Sequence, residues 1–342
     1  MCLRRQFRSS DVGSDRGPRS SAGWLSRPTP AGARPATSKR CSPTAGAVAC
    51  CRDPRSLNSE ITESLWEEYE SFSTRVLSDL KTVYLFVDGI AERLRPGSKR
   101  EAVLAAWAIT EAGQKILVAV APGTKESTDC CRDFFEDLKR RGLEDPVQVI
   151  SDGAAGLIAA NEQCFPVSLR QRCPEHKIRN LISKLPSEAI AEFKQVAKAS
   201  YQAPSPAMAR ALRDDLVERF GKKYPSVVRC LLDDFEACIA HLRCPAAHHR
   251  LIRTTNLLER LFGEERRRFK AVGTTFGERP VLKLMYSTLV RASDRWRGIQ
   301  ITEFETRQLD VLRQQLNEEH RRENDPAAAV RGKRGPRDLQ QA

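Results

Sequence analysis

Two aspartates, each followed by a glycine after an apolar run, are the first residues of this sequence whose type and spacing suggest chemistry. Asp88 lies in the segment 86–89 (FVDG) and Asp152 in the segment 150–153 (ISDG). Either Asp-Gly pair, taken on its own, is typical of a turn. Two carboxylates at the ends of neighbouring strands would instead offer the hard oxygen ligands that Mg²⁺ and Mn²⁺ prefer.

A third carboxylate, Glu259, lies in a segment whose apolar residues recur at helical spacing. Thr254 or Thr255 can cap the N-terminus of this predicted helix. Gly263 follows one turn after Glu259, and a glycine inside a helix costs about 1 kcal/mol relative to alanine. The missing side chain favours a close approach of a sugar-phosphate backbone beside Glu259. The plainer alternative is that Glu259 pairs with a neighbouring arginine on a solvent-exposed surface.

The elements that must position these carboxylates follow from the hydrophobic pattern. Apolar runs predict five strands, at 82–87, 103–110, 115–121, 147–150 and 167–172. Amphipathic runs predict helices after the third, fourth and fifth strands, at about 127–141, 154–163 and 175–183. Turn residues between the first three strands favour an antiparallel meander. This order is that of an RNase H-like α/β core, a mixed sheet flanked by helices.

The remaining segments are helical or polar. A linking helix is predicted within 58–81, a wholly helical region at 187–244, and three further helices at 256–270, 280–295 and 302–320. Residues 1–57 and 321–342 combine high charge with low hydrophobicity, which predicts two disordered tails. For the amino-terminal segment, the alternatives are a basic DNA-tethering arm and a start site that is not genuine.

The chain carries a net charge of +13, but most of the excess lies near its ends. Residues 1–55 hold 11 basic and 3 acidic residues, and residues 321–342 hold 6 and 3. Binding to a polyanion must therefore be argued from local clusters. The basic residues near the motifs are Arg170, Arg172, Lys177, Arg179, Lys184, Arg266, Arg267, Arg268 and Lys270.

Cysteine usage and hydropathy indicate the compartment. The odd total of 11 cysteines fits reduced thiols better than a disulfide framework. No apolar run approaches the roughly 18 residues that a membrane span needs, and the basic start lacks the apolar stretch of a signal peptide. We therefore expect a cytoplasmic protein that does not associate with a membrane.

Four segments resemble the Mutator-type family of bacterial insertion-sequence transposases. They are 86–89, 150–153, 172–176 (RCPEH) and, most specifically, 253–270 (RTTNLLERLFGEERRRFK). The similarity extends from about Ile61 to His320. It implies an RNase H-like core whose first part is 82–186 and whose completion, with the C-terminal helices, is 245–320. An all-helical insertion at 187–244 precedes the last catalytic residue.

The resemblance also implies the chemistry. The Asp-Asp-Glu triad of the family falls on Asp88, Asp152 and Glu259, whose carboxylates would lie within roughly 8 Å of one another and hold two Mg²⁺ or Mn²⁺ ions. The implied reaction is cleavage at transposon ends and strand transfer into target DNA. The implied partners are double-stranded DNA, both terminal inverted repeats and target, and a second copy of the chain as a homodimer or higher oligomer.

The family has a Cys-x₂-His element after its second aspartate, here Cys173 and His176. The resemblance gives this pair an auxiliary role near the active site, whereas residue type alone favours simple packing. A zinc site with Cys238, His241 and Cys244 is a further alternative, although structural zinc usually uses other spacings. The residues expected to contact DNA are Arg172, Lys177, Arg179, Asn256, Arg266, Arg267 and Lys270.

One departure from the family pattern leaves the function open. Family members carry a helical, sequence-specific DNA-binding region before the catalytic domain, where this sequence has only the polar residues 1–57. Two alternatives to an active transposase therefore remain. One is a truncated remnant that binds DNA and represses, and the other is an RNase H-like nuclease without strand transfer.

Overall fold

A computed structural model of the chain describes residues 54–92, 101–123, 127–256, 258–260, 262–263, 267 and 278–324. All of them belong to one unit, Arg52–Ala342. The segment predicted to be a disordered amino-terminal tail thus lies almost wholly outside the described residues, as does most of the carboxy-terminal tail. The described ends of these two segments are helical.

A mixed five-stranded sheet forms the centre of this unit. Its strands are β1 (Thr82–Glu92), β2 (Glu101–Thr110), β3 (Lys115–Pro122), β4 (Gln148–Ser151) and β5 (Leu169–Arg172). The spatial order is β3-β2-β1-β4-β5. The first three strands form the predicted antiparallel meander, and β4 and β5 continue the sheet in parallel with β1. The α/β class and the mixed sheet predicted from the sequence are therefore confirmed.

Helices surround the sheet. They are α1 (Pro54–Thr74), α2 (Thr128–Arg140), α3 (Ala155–Cys164), α4 (Pro174–Ile182), α5 (Ser187–Tyr201), α6 (Pro206–Gly221), α7 (Pro225–Leu232), α8 (Phe235–Ile239) and α9 (His249–Ile252). Helix α10 carries Glu259, and its described helical residues are 256, 258–260, 262–263 and 267. Helices α11 (Glu278–Ser293) and α12 (Glu303–Glu323) follow. Two short 3₁₀ turns, Ala240–Arg243 and Ala246–His248, join α8 to α9.

Both faces of the sheet are buried, because side chains alternate between them along each strand. Phe86 and Trp107 stack on one face at 4.4 Å between ring centroids and pack with α1, α10, α11 and α12. Leu85 and Val87 point to the other face and pack with α2 and α3. Such two-sided burial explains why the strands read as continuous apolar runs.

Helices α4 to α8 have a hydrophobic core of their own. Ile178 and Leu181 of α4 pack with Phe193 of α5, Phe220 of α6 and Leu231 of α7. The range 187–244, expected to be wholly helical, contains only α-helices and one 3₁₀ turn. Its helices follow the amphipathic stripes of the sequence, with Ser205 capping α6 through its hydroxyl.

Several predicted boundaries were wrong, each for a local reason. Strand β1 extends to Glu92 and not to residue 87, because its antiparallel pairing with β2 continues to Glu101. Helix α1 starts at Pro54 and ends at Thr74, well before residue 81. It ends there because the chain becomes extended at Leu77, whose N–H donates to the carbonyl of Arg141 at 2.7 Å and whose side chain is fully buried.

Candidate active site

Asp88 lies on β1, and Asp152 directly follows the neighbouring parallel strand β4, at an equivalent position along the chain. Phe86 of β1 is the register partner of Ile150 of β4, and Asp88 and Asp152 each follow two residues later. Parallel strands lie about 4.8 Å apart. Extended by two residues, this register places the backbone of Asp88 beside that of Asp152. Here β4 has just ended at Ser151, whereas β1 continues against β2 alone.

Both carboxylates are buried and are oriented by the backbone that follows them. Asp88 is 3% exposed, and its Oδ1 accepts a hydrogen bond from the N–H of Gly89 at 2.8 Å. Asp152 is 6% exposed, and its Oδ1 accepts from the N–H of Ala154 at 3.0 Å, just before α3 begins. Buried carboxylates need such partners because desolvating an ion is costly. The backbone that follows each aspartate therefore orients its carboxylate.

The side chain of Asp88 lies on the face of the sheet against which α10 packs. Phe86 and Ile90, two residues before and after it, belong to the same apolar cluster as Leu258 and Phe262 of α10. The partner of Asp88 on β2 is Ala105, whose small side chain adds little bulk on this face. Strand alternation thus directs the first candidate ligand towards the helix that carries the third.

Glu259 is bound by two basic side chains of α4. Its carboxylate accepts hydrogen bonds from Nη2 of Arg179 at 3.0 and 3.3 Å. Nε2 of His176 lies 3.3 Å from Oε1 of the same carboxylate. The alternative in which Glu259 pairs with a neighbouring arginine therefore describes this structure. Within the described part of the chain, no three His, Cys, Asp or Glu side chains are grouped closely enough to hold a metal ion.

Cys173 joins the start of α4 to the start of α10. The residue is fully buried at the N-cap of α4, and its N–H donates to the carbonyl of Ser151 at 2.8 Å. Burial raises the pKa of its thiol, against the opposing effect of the backbone N–H groups of His176 and Thr255. The thiol is therefore protonated at neutral pH and packs beside Thr255. Cys173 positions the helices that carry His176 and Glu259.

Two of the basic residues predicted to contact DNA are buried, and we correct those predictions here. Lys177 is fully buried, and its ammonium donates to the carbonyl of Asp233. Arg172 is 7% exposed, and its Nη1 donates to Oδ2 of Asp234 at 2.9 Å. Neither side chain is presented to a phosphate in this structure. Their positions on β5 and the inward side of α4 explain why they are buried.

Asp234 is a residue that the sequence reasoning did not find. It occupies the left-handed region at φ 62° before α8, which aspartate tolerates better than most residues. Its carboxylate binds Arg170 at 2.6 Å as well as Arg172. Burial acts to raise the pKa of Asp234, but the hydrogen bonds and charges of the two arginines outweigh it and lower the pKa. A lone aspartate between two helices gives no sequence signal for this role.

Gly153 is required by the packing of Arg172 beside Asp152. A Cβ atom at position 153 would overlap the Arg172 guanidinium. Ser151 and Arg172 are register partners on β4 and β5. This pairing places the Arg172 side chain beside Gly153, the residue that follows Asp152. This glycine is thus explained by a close approach and not only by turn geometry. It lets a buried arginine border the second candidate ligand.

The other residues predicted to contact DNA divide into two groups. Arg179, Asn256 and Arg267 are exposed, although Arg179 is the partner of Glu259. Arg266 and Lys270 lie outside the described residues. The exposed members lie on α4 and α10, the two helices that meet at Glu259.

The Cys238–His241–Cys244 segment packs as a buried polar cluster. Nδ1 of His241 lies 3.2 Å from Oε1 of Gln171, which also accepts from the His241 N–H at 2.7 Å. Burial, aided by the charges of His249 and Arg253, lowers the pKa of His241 to about 3. Burial raises the pKa of the Cys238 thiol to about 12, although the charges of Lys177 and Arg172 oppose it. These groups are neutral at pH 7, and His241 serves to bind β5.

Comparison with known proteins identifies the family. The family model described as transposase, Mutator family, matches residues 48–298, which include both aspartates and Glu259. The chain belongs to the Mutator family of transposases. The resemblance to this family that was inferred from four sequence motifs is thereby confirmed.

Individual relatives of this Mutator-family chain are transposases of insertion sequences. The chain is 33% identical over 239 residues, 70% of its length, to the transposase for insertion sequence element IS6120 of Mycolicibacterium smegmatis. It is 34% identical over 192 residues, 56% of its length, to that for IST2 of Acidithiobacillus ferrooxidans. It is 28% identical over 246 residues, 71% of its length, to that for IS256 in transposon Tn4001 of Staphylococcus aureus. The aligned part covers 74%, 65% and 63% of these relatives, so it spans less than two thirds of the latter two.

Among the helices that the structure describes, none is both long and apolar enough to cross a membrane. The match ends at residue 298, so α12 lies beyond it. That helix nevertheless belongs to the same fold, because Leu309, Leu312 and Leu316 pack into the core beside the sheet.

Proposed function

We propose that this Mutator-family chain is a DNA transposase with an RNase H-like catalytic core that cleaves transposon ends and transfers them into target DNA. The observation that carries the proposal is the equivalent placement of two buried carboxylates, Asp88 on β1 and Asp152 immediately after the adjacent parallel strand β4. Family membership supplies the reaction class, since a transposase acts on DNA. The proposed catalytic residues are Asp88, Asp152 and Glu259.

The sheet topology supports the RNase H-like assignment. Three antiparallel strands followed by two parallel ones, in the order β3-β2-β1-β4-β5, are what such a core requires. Helices α5 to α8 share a separate apolar cluster with α4, which suits an insertion at 187–244 between β5 and α10. Under this proposal, residues 82–186 and 245–320 together form one catalytic core.

The donor set of the site fits a hard divalent cation. Two buried carboxylates held by backbone N–H groups supply only oxygen ligands, which Mg²⁺ and Mn²⁺ prefer to nitrogen or sulfur. Glu259 would complete the set by exchanging Arg179 for the cation. Two such ions would stabilise the charge on the attacking and leaving oxygens of the reacting phosphate.

The residues of the chain then have distinct roles in the two steps. Asp88 and Asp152 keep fixed oxygens at the sheet edge while a water oxygen bonds to phosphorus and the bond to the 3′-oxygen breaks. The leaving 3′-oxygen takes up a proton released by the water and becomes a hydroxyl. That hydroxyl oxygen then bonds to a phosphorus of the target DNA while the bond from this phosphorus to the target's own 3′-oxygen breaks, and the displaced oxygen takes up the proton that the hydroxyl releases. Arg179, once released from Glu259, is available to bind a phosphate oxygen. No covalent intermediate with the protein is required.

The partners in this proposal are the two ends of the element, the target DNA and a second copy of the chain. Cutting two ends and joining them at one target calls for two active sites, hence a homodimer or higher oligomer on DNA. The chain would therefore act at the nucleoid. Phosphate contacts would come from the exposed cations near Glu259, because such contacts supply most of the sequence-independent affinity.

A DNA-binding remnant that does not cut is the second candidate, and one observation favours it. Glu259 is bound by Arg179 and His176 and is not grouped with the two aspartates in this structure. If that arrangement persists with DNA and metal present, the chain would occupy transposon ends without cleaving them. An RNase H-like nuclease that lacks strand transfer differs only in its products.

The test is a nicking and strand-transfer assay on DNA carrying the element's own ends, with Mg²⁺ or Mn²⁺. We expect Asp88→Asn and Asp152→Asn each to abolish both products, while Asp145→Asn, which alters a carboxylate on another loop, leaves them unchanged. Cleavage without joining would favour the nuclease. Binding without cleavage by the unmodified chain would favour the remnant, and full activity of either candidate variant would remove that residue from the site.

A further inference from the structure

A basic groove of about 540 Å³ lies beside the start of α10. Three arginines line it, namely Arg250 of α9, Arg253 in the segment that follows α9, and Arg260 of α10. Polar side chains of Thr254, Asn256 and Gln300 line it as well. Arg260 adjoins Glu259 in sequence, and Asn256 precedes Glu259 by one helical turn, so the groove begins where the proposed catalytic site ends.

The walls of the groove are fixed to the sheet. His248 lies at its base, is 3% exposed, and its Nδ1 is 2.7 Å from the hydroxyl of Tyr84 on β1. On the opposite wall, the N–H of Ile299 donates to the carbonyl of Gly113 at 2.8 Å. Gly113 has φ +72°, and a Cβ atom there would overlap the carbonyl oxygen of Ile299. These contacts fix His248 and Ile299 relative to the sheet.

The arginines of the groove are not neutralised within the part of the chain that the structure describes. No carboxylate forms an ion pair with Arg250, Arg253 or Arg260 there, and Glu175 is the one acidic residue among the described lining residues. Oε1 of Glu175 lies 3.9 Å from Nζ of Lys198 on α5, so this carboxylate is shared with a cation outside the groove. Burial lowers the pKa of Arg253, an effect that the charge of Glu175 opposes and the charge of Arg250 adds to. With three arginines and one carboxylate among its described lining residues, the groove keeps an excess of positive charge.

The shape and chemistry of the groove suit a phosphodiester backbone better than a compact anion. Its cationic groups come from α9, from the segment after it and from α10, its amide groups come from Asn256 and Gln300, and it is partly open to solvent. Guanidinium groups form paired hydrogen bonds with phosphate oxygens, and amide side chains contact sugar and phosphate. An extended strand with one charge per nucleotide can contact cationic groups from several elements.

We infer that the groove lined by Arg250, Arg253, Asn256 and Arg260 binds the phosphodiester backbone of the DNA strand that continues from the reacting phosphate. The inference rests on the proposed function for the identity of the ligand. It assigns DNA contacts to Arg250, Arg253 and Arg260, in place of the buried Arg172 and Lys177. Because phosphate contacts carry no sequence information, transposon-end and unrelated DNA should occupy the groove alike.

The test compares two double variants of the full chain that each remove two positive charges. Arg250→Gln with Arg260→Gln alters the groove, and Arg321→Gln with Arg322→Gln alters two exposed arginines in the last turn of α12. Binding to an end-bearing duplex and to an unrelated duplex of equal length is titrated at several salt concentrations without divalent metal. All four substituted residues are exposed, so thermal unfolding should match that of the unmodified chain.

We expect the groove variant to bind both duplexes about ten- to thirty-fold more weakly near 0.15 M salt, with a salt slope lower by about two. The α12 variant should change affinity by less than about two-fold. Equal losses in the two variants would reduce the effect to net charge and overturn the inference, as would unchanged binding in the groove variant. A loss confined to the end-bearing duplex would overturn backbone recognition. Because no cleavage is measured, failure of the proposed activity would leave this result standing.

Discussion

The carboxylate of Glu259 on α10 is hydrogen-bonded to the guanidinium of Arg179 on α4, at 3.0 Å and 3.3 Å for its two oxygens. Half of the Arg179 side chain is exposed to solvent, and exposed ion pairs contribute at most about 1 kcal/mol. Exchange of Arg179 for a metal ion is therefore inexpensive.

Weakening this pair should make metal binding easier. We expect Arg179→Gln to lower the Mn²⁺ concentration for half-maximal cleavage by up to about five-fold, the equivalent of 1 kcal/mol. The measurement is a cleavage titration at saturating DNA, which removes any effect of Arg179 on DNA affinity. Arg210→Gln, which breaks an exposed pair with Glu236 on α8, is the control. A half-maximal concentration that stays constant or rises would show that Arg179 does not compete with the metal.

The close approach of Gly153 to Arg172 leads to a second prediction. Gly153→Ala should lower the free energy of unfolding by about 1–3 kcal/mol, because the added methyl group overpacks a buried arginine that Asp234 holds in place. It should also reduce cleavage, since Asp152 is the preceding residue. The measurement is denaturant unfolding together with the cleavage assay.

Gly221, the last residue of α6, is the matched control. A Cβ atom there meets nothing within 4 Å, so Gly221→Ala should be neutral or should stabilise the protein by up to about 1 kcal/mol. Equal stability of the Gly153 and Gly221 variants would mean that Arg172 moves aside freely and that glycine at 153 serves another purpose.

The sheet and its flanking helices were predictable because each strand is buried on both faces and reads as an apolar run. The positions of the strand ends were not, since they depend on pairing. The residues after Val87 do not predict that β1 continues to Glu92, because its continuation depends on backbone pairing with β2. The early end of α1 has the same kind of cause, namely the tertiary contact of Leu77 beneath α2.

The candidate site was predictable in part for a similar reason. Asp88, Asp152 and Glu259 were selected as candidates from strand ends, helix pattern and family motifs, which are local signals, and their catalytic role stays a prediction. The burial of Arg172 and Lys177 was missed, because both are paired with residues near Asp234 about 60 positions away. A basic cluster in the sequence gives no information about which of its members face inward. The groove beside α10 was missed because it joins Arg250 to the distant Gln300.

His241 should make stability depend on pH. Its pKa is lowered by burial to about 3 from 6.5, so the unfolded chain binds a proton that the folded chain does not. The stabilisation is therefore complete above about pH 6.5 and is lost as the pH falls towards 3. Between pH 7 and pH 5, the unmodified chain should lose about 2 kcal/mol more than His241→Asn.

Denaturant unfolding of both proteins at the two pH values measures this difference. Asparagine provides an N–H donor in place of Nδ1 for the bond to Gln171, so the variant should remain folded. Parallel pH profiles for the two proteins would contradict the account, because they would mean that His241 becomes protonated without leaving its buried position.

The most direct test of the central claim compares Glu259→Gln with the unmodified chain for metal-dependent cleavage and for DNA binding. Glutamine keeps the shape and helix propensity of glutamate but removes the charge of a metal ligand. We predict that cleavage and strand transfer are lost, while DNA affinity is retained or rises slightly because a repulsive charge has gone. Glu188→Gln, which alters an exposed carboxylate on α5, should leave both unchanged. Full cleavage by Glu259→Gln would contradict the assignment of Glu259 to the catalytic site.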